Sequence, residues 1–204
     1  MYFGVLWQSC TALLQLAPLP YAYNALEPHL DEATMQLHHL RHLQGYVDRT
    51  NAILQSMRES GIASAHRIAK LGLDYALLHL DEVQDEGQRR ALRNVGGGVI
   101  NHELFFSSLS PPPPVGHGGV ILQDLEVVTA IEAAFGSMES FKERMRSAAL
   151  AVFGSGWAFL EVDGRGSGAP TLNITMAANQ DSPAMEAGRH PLLGLDVWEH
   201  AYCE

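Results

Sequence analysis

Histidines at helical spacing are the first sign of a chemical site in this sequence. Within the stretch QLHHLRHLQGY, His38, His42 and Tyr46 are spaced four residues apart. On an α-helix such residues stack along one face, and the apolar Met35 falls on nearly the same stripe, so this face should point inward. A histidine on an apolar face is most often a hydrogen-bonded core residue, and one stripe alone does not separate that role from metal binding.

Two further segments supply side chains of the types that bind metals. His102 follows an asparagine in an apolar helical segment, and Asp196 and His200 lie four residues apart where a strand gives way to a turn. Together with His38 they make three imidazoles and one carboxylate, a set that suits Mn, Fe or Zn. A zinc site with four protein ligands would have no open coordination position and would be structural. A redox metal with a fifth ligand from solvent would instead be open to chemistry. The spacing leaves both open, and it leaves little room for a third class, a mononuclear iron or zinc hydrolase.

Composition limits the partners of the chain. Of its 204 residues, 47% are hydrophobic and 18% are charged, which is typical of a globular protein. A formal net charge of −10 argues against binding to nucleic acid or to an anionic membrane. The same charge repels small anions, so any anion chemistry needs local positive charge from a metal or from nearby Arg and Lys.

The amino-terminal residues and the cysteines say little about location. Residues 1–17 carry no charged side chain, so they lack both the basic start of a secretory signal and the arginines of a mitochondrial presequence. The cysteines, Cys10 and Cys203, are too few for a disulfide framework. No apolar run is long enough to span a bilayer. We expect a protein of the mitochondrial matrix or the cytoplasm rather than a secreted one.

The elements that must position these residues are helices followed by a small sheet. The pattern predicts helices over 31–58, 63–84, 88–109, 122–135 and 137–153, and strands over 157–163, 171–178 and 191–198. Asp31 is the predicted N-cap of the first helix. The triplet Gly96–Gly98 should either weaken the third helix or admit close packing by a neighbour.

A proline- and glycine-rich run divides the chain into two predicted domains. The run PPPPVGHGG begins at Pro111 and has the composition of a linker. It separates an all-helical N-terminal domain, 18–112, from a C-terminal domain of helices and strands, 118–204. The predicted fold class is therefore α+β.

Six short motifs occur in order along the chain: LPYAYNALEPH at 19–29, MQLHH at 35–39, GGGVINH at 96–102, GSGW at 154–157, NQD at 179–181 and DVWEHAY at 196–202. Together they resemble the iron/manganese superoxide dismutases over nearly the whole chain. The resemblance implies a helical hairpin domain followed by an α+β domain with a three-stranded antiparallel sheet. It also implies one metal per chain, manganese or iron, with the ligands His38, His102, Asp196 and His200.

By this resemblance the reaction is the dismutation of superoxide to dioxygen and hydrogen peroxide. A metal that alternates between its trivalent and divalent states would exchange the electrons, and the protein would deliver the protons. Tyr46 matches the gateway tyrosine of the family, and His42 matches its companion on the substrate channel. Trp157 and Trp198 match the aromatic side chains that wall the pocket.

The resemblance also implies a homodimer or a dimer-based oligomer. Glu199 matches the residue that reaches across the dimer to the metal-binding His200 of the partner subunit and fixes its tautomer. Cys203 stands where the family has a second tyrosine of the same motif, and the chain stops at Glu204 where the family continues for a further helical segment. Phe106 stands where a tryptophan is usual.

A second group of departures concerns the side chain beside the metal. The family places a glutamine against the metal-bound solvent, and we expect it at the position of Phe153 in manganese-type members or of Gly98 in iron-type members. Neither residue can donate a side-chain hydrogen bond, and such a loss typically costs roughly 10–100-fold in metal affinity or activity. The alternative function is therefore a non-catalytic or weakly active metal-binding dimer subunit. The other alternative is that another side chain or a water takes the place of the glutamine. The motifs GGG and NQD favour manganese, and FGSGW favours iron, so manganese is preferred with iron possible.

Overall fold

The computed structural model describes residues 13–111 and 125–202, with the backbone alone for Leu125. The helices are α1 (Glu32–Leu37), α2 (Gln44–Glu59), α3 (Ala63–Leu71), α4 (Leu73–Leu78), α5 (Glu86–Ser108), α6 (Leu125–Phe135) and α7 (Met138–Ala151). The strands are β1 (Gly156–Asp163), β2 (Thr171–Ala178) and β3 (Arg189–Asp196). This order confirms the α+β class, helices first and sheet last. Over the described ranges, no helix has both the length and the apolar character that crossing a membrane requires.

The first predicted helix is continuous but not uniform. Asp31 caps α1 as predicted, since its Oδ1 accepts a hydrogen bond of 2.7 Å from the backbone N–H of Thr34. Between α1 and α2 the six residues His38–Leu43 form a π-helical segment. Such segments are rare and occur frequently at functional sites. A spacing of four residues does not reveal the wider turn, which carries both His38 and His42.

The second predicted helix is broken in the middle. Gly72 has a φ of +98°, a conformation that favours glycine, and it ends α3 and begins α4. A 3-10 turn at Leu80–Glu82 follows, and the buried Val83 anchors the tip of the hairpin. The third helix, α5, begins two residues earlier than predicted because Asp85 caps it, accepting a hydrogen bond of 2.6 Å from the N–H of Gln88.

The glycine triplet of α5 allows close packing on two sides. All of Gly96–Gly98 is buried. A Cβ added at Gly97 would overlap the backbone oxygen of Gln180, and one added at Gly98 would overlap the ring of Tyr46. The second of the two predicted readings is therefore confirmed: the triplet brings α2 and the C-terminal half against α5.

The sheet is antiparallel in the order β2-β1-β3, with β1 in the centre. Strand β1 is buried on both faces: Trp157 and Phe159 join the core of the helical hairpin, while Ala158 and Leu160 pack with α6 and α7. Trp157 pairs with Asp196 at the end of β3. This pairing carries the last metal-binding segment to the boundary between hairpin and sheet.

Several predictions fall outside the described residues. The proline-rich run lies mostly within 112–124, so the domain ranges 18–112 and 118–204 stay a prediction. Cys203 and Glu204 lie outside the described residues too. The predicted third strand, 191–198, is shifted to 189–196, because the chain turns after Asp196 into a 3-10 turn at Glu199–Ala201.

Replacing Gly97 by alanine tests the close packing of α5. We expect Gly97→Ala to lower the free energy of unfolding by about 1–3 kcal/mol, because backbone atoms at Gln180 must move to admit the methyl group. Gly87→Ala, near the start of the same helix, is the matched control and should be neutral or stabilising by up to about 1 kcal/mol. Chemical denaturation of both variants measures the difference, and equal stability of the two would contradict the packing.

Candidate metal centre

Four side chains from distant parts of the chain meet at one point. His38 comes from the π-helical segment, His102 from α5, Asp196 from the end of β3 and His200 from the following turn, and one potential ligand atom of each lies within 4.8 Å of the other three. Asp196 Oδ2 lies 3.2 Å from His38 Nε2, 3.4 Å from His200 Nε2 and 3.8 Å from His102 Nε2. The structure thus brings together all four predicted ligands.

The converging atoms lack the partners that buried polar atoms require. The three Nε2 atoms and Asp196 Oδ2 are buried, and within the described part of the chain none of them makes a hydrogen bond of acceptable geometry. Buried polar atoms in native proteins nearly always have a partner. Three nitrogen atoms and one carboxylate oxygen aimed at one point fit a first-row metal cation.

The protonation states also suit a cation. Burial lowers the pKa of His102 to about 3 and that of His38 as well, so both imidazoles are neutral at pH 7. Burial by itself raises the pKa of Asp196, but the neighbouring imidazoles of His200 and His38 outweigh it and bring the pKa to about 2. The carboxylate is therefore ionised, and a metal would not have to displace protons from these ligands.

Neighbouring groups fix the orientation of the ligand atoms. His102 Nδ1 lies 2.6 Å from the backbone oxygen of Gly98, so the ring donates there and turns its Nε2 lone pair to the centre. Asp196 Oδ1 accepts a hydrogen bond of 2.9 Å from the backbone N–H of Trp198, which leaves Oδ2 for the centre. Gly98 thus acts through its carbonyl oxygen and through the space that its missing side chain leaves.

The predicted channel and wall residues surround this cluster. The rings of His42 and His200 stack with centroids 4.1 Å apart, and the ring of Tyr46 lies 5.2 Å from that of His102. Trp157 is fully buried with its ring 5.2 Å from that of His102. Burial, with the nearby imidazoles, lowers the pKa of His42 to about 4, so this side chain is neutral at pH 7.

Two further aromatic side chains complete the surroundings. Trp198 stacks on His200 at 5.6 Å, and its Nε1 donates a hydrogen bond of 3.0 Å to the backbone oxygen of Asn179. Phe106 is buried with its ring 5.0 Å from that of His38. The phenylalanine therefore fills the place beside the ligand with an apolar ring.

A glutamine does lie near the site, at a position other than the two that the resemblance indicated. Phe153 is 101% exposed, so its side chain points into solvent and its assignment beside the metal is wrong. Gln180, in the NQD motif, is instead 2% exposed. Its Oε1 accepts a hydrogen bond of 3.1 Å from Trp157 Nε1, and its Nε2 donates one of 3.1 Å to the hydroxyl of Tyr46.

The loop that carries Gln180 is held against α5. Asn101 Nδ2 donates to the backbone oxygens of Gln180 and Asp181 at 3.2 and 3.3 Å. The carboxylate of Asp181 receives two hydrogen bonds from Arg93, at 2.6 and 2.8 Å. The sequence signals for this arrangement are the NQD motif and the glycine triplet. Because these two segments lie about 80 residues apart in the chain, no local pattern predicts the contact between them.

One side of the cluster faces an open hollow of about 840 Å³, lined in part by Trp198, Glu199, His200 and Tyr202. Glu199 is exposed, and no hydrogen bond or ion pair of its carboxylate occurs among the described residues. Leu150, on the same hollow, is 73% exposed, and Tyr202 is 63% exposed. Apolar side chains with this exposure beside an unpartnered carboxylate are typical of an interface.

Comparison with known proteins agrees with the geometry. Two family models match: the alpha-hairpin domain of the iron/manganese superoxide dismutases over residues 14–110, and the C-terminal domain of the same family over residues 123–204. The chain is 43% identical over 192 residues to a manganese superoxide dismutase of Yersinia enterocolitica, an alignment that covers 92% of this chain and 83% of that protein.

Relatives named for either metal are equally similar. An iron superoxide dismutase of Raoultella planticola is 43% identical over 188 residues, covering 92% of this chain and 98% of the relative. A manganese superoxide dismutase of Listeria ivanovii is 45% identical over 188 residues, covering 92% and 83%. With the helical hairpin, the three-stranded sheet and the buried His/Asp cluster, these matches show that the chain belongs to the iron/manganese superoxide dismutase family.

Proposed function

We propose that this protein is a superoxide dismutase that converts superoxide to dioxygen and hydrogen peroxide at a mononuclear site. The observation that carries the proposal is the convergence of four buried ligand atoms that have no partners within the described chain. Membership of the family supports it, since the relatives are named as superoxide dismutases.

We further propose that His38, His102, Asp196 and His200 hold one manganese ion. Manganese or iron held there would supply the one-electron redox chemistry that dismutation needs, because one superoxide is oxidised while a second is reduced. Two features support manganese: the glutamine comes from Gln180 in the NQD motif, which resembles manganese-type members, and α5 offers only glycine at the position where iron-type members place theirs.

The chain itself supplies groups that hold and orient protons near the site. Burial raises the pKa of Tyr46, so its hydroxyl stays protonated at neutral pH and can donate a hydrogen bond. Gln180 donates to the oxygen of this hydroxyl and itself accepts from Trp157, so the three side chains form one chain of hydrogen bonds. This chain fixes the hydroxyl at the edge of the site, while His42 remains neutral on the other side.

The alternative, a non-catalytic or weakly active subunit, loses its main argument. That argument was the absence of a glutamine at Phe153 and Gly98, and the hydrogen bonds of Gln180 to Tyr46 and Trp157 support the enzyme instead. The replacement of a tyrosine by Cys203 still distinguishes this chain from the family pattern. Activity of the unmodified chain decides between the two functions.

We also propose that two copies associate through the hollow beside His200. The exposed Phe153, Leu150 and Tyr202 offer apolar surface around it, and Glu199 has no partner among the described residues. In such a dimer the carboxylate of Glu199 would accept a hydrogen bond from the His200 of the partner subunit. Each site would then be complete only in the assembly.

Removal of the ligand charge tests the metal site. We expect Asp196→Asn to lose most of its bound metal after dialysis, because the amide keeps the shape but removes the negative charge that offsets the cation. Asp48→Asn, on the exposed face of α2, changes the net charge equally and should retain its metal. Elemental analysis gives the metal content of both variants, and full metal content in Asp196→Asn would contradict the ligand assignment.

Superoxide decay tests the catalytic proposal. The chain loaded with manganese should accelerate decay well above the free ion, and more than the iron-loaded chain. Gln180→Leu should lower the rate per bound metal by roughly 10–100-fold, because Trp157 Nε1 and the Tyr46 hydroxyl lose their hydrogen-bond partner. Gln55→Leu, at an exposed amide on α2, is the control. If the protein binds metal but superoxide decays no faster than with the free ion, the enzyme proposal is wrong.

Measurement of mass in solution tests the dimer. Sedimentation at micromolar concentration should give about twice the 22.3 kDa of one chain. Phe153→Glu should shift the protein to single chains, since it places a charge on the proposed apolar interface. Leu71→Glu, at an exposed leucine of the hairpin, should leave the dimer intact. A wild-type protein that sediments as single chains would exclude this interface.

A further inference from the structure

An arginine with no ion-pair partner among the described residues lies at the edge of the proposed channel. Arg49 is exposed on α2, one turn after Tyr46, and its guanidinium carbon lies 5.0 Å from the centre of the Tyr46 ring. The same group lies over Gly45, since a Cβ added there would meet Arg49 Nη1 at 3.1 Å. The side chain therefore folds back along the helix, toward the stripe that carries His42 and Tyr46.

Five arginines of the described chain are neutralised by carboxylates, whereas Arg49, like the exposed Arg41 and Arg90, is not. Arg67, Arg93, Arg146, Arg165 and Arg189 all form ion pairs with carboxylates. Within residues 13–111 and 125–202, Arg49 forms neither an ion pair nor a hydrogen bond, and its sequence neighbour Asp48 accepts a hydrogen bond from Gln44 instead. The guanidinium keeps its full positive charge, and the ring of Tyr46 holds it in place.

The charge matters because of the rest of the molecule. The chain has a formal net charge of −10, which repels an anion at long range. An anion that approaches the Tyr46 ring meets the guanidinium of Arg49, whose carbon lies 5.0 Å from the ring centre. This local positive charge opposes the repulsion that the whole chain exerts.

We propose that Arg49 guides the superoxide anion to the channel between His42 and Tyr46. The inference rests on the proposed function and adds to it a substrate-guiding residue outside the ligand set. Arg49 does not touch the reacting atoms; it raises the local concentration of the anion at the entrance. Oriented charge at a cleft raises association rates by roughly 10–10³-fold in proteins, and one charge should lie at or below the lower end of this range.

Salt dependence separates guidance from a structural role. The metal-loaded full chain and its Arg49→Gln variant are compared by the second-order rate constant of superoxide decay, per bound metal, between low and physiological ionic strength. Arg49→Gln should lower the rate constant roughly 2–10-fold at low salt and flatten its fall with added salt. Arg49→Lys keeps the charge and should retain most of the rate and the salt slope.

Arg90→Gln is the matched control, because it removes the same charge from an exposed arginine of α5. Arg90 precedes His102 by 12 residues on α5, which is about 18 Å at 1.5 Å per residue. This distance is well beyond the screening length of roughly 10 Å at 0.1 M salt. We expect the rate constant and salt slope of Arg90→Gln to match those of the wild type. Equal losses in the Arg90 and Arg49 variants would overturn the proposal in favour of net charge alone, and an unchanged Arg49→Gln would overturn it outright.

Binding of azide, a small univalent anion, gives a readout that needs no turnover. Titration of the metal-loaded protein, followed by visible absorption, should show an affinity that is about 2–10-fold weaker in Arg49→Gln at low salt and unchanged in Arg90→Gln. Circular dichroism and metal content establish that each variant is folded and loaded. A wild type without superoxide decay would refute the proposed function, whereas equal azide affinity in all variants would refute the role of Arg49.

Discussion

The structure depends on one electrostatic constraint: three imidazoles enclose an ionised carboxylate, and the converging atoms have no hydrogen-bond partner among the residues that the structure describes. Burying such a group without compensation is very costly, and one cation at the centre removes the cost for all four side chains together. The ligands come from a π-helical segment, a long helix, a strand end and a short turn. These four ligand atoms must converge on one cation, and this requirement fixes how the helical hairpin and the sheet pack together.

Glycine makes that meeting possible. Gly97 lets the loop after β2 approach α5 so closely that Asn101 hydrogen-bonds its backbone oxygens, and Gly98 leaves room for the ring of Tyr46. The amide of Gln180 then links this ring to Trp157. The two glycines of α5 therefore matter as much as the side-chain contacts in placing the residues around the metal site.

The sequence allowed prediction of the ligands and of the fold class, because motifs such as DVWEHAY and the helical spacing are local. It did not predict the π-helical segment at His38–Leu43, since a spacing of four residues fits either kind of turn. It also missed Gln180, because that contact joins a loop to a helix far away in the chain. Phe153 was misplaced for a related reason: Gly154, with a φ of +79°, turns the chain there and leaves the ring in solvent.

The order of the ligands along the chain has a consequence for biosynthesis. Most of the described chain separates His38 from His200, so a growing chain cannot assemble all four ligands before His200 has emerged from the ribosome. Contacts of such long range form late in folding, after the local helices. Complete coordination of a metal therefore waits for the last ligand segment, and the ion that enters depends on which metals the surrounding compartment holds at that moment.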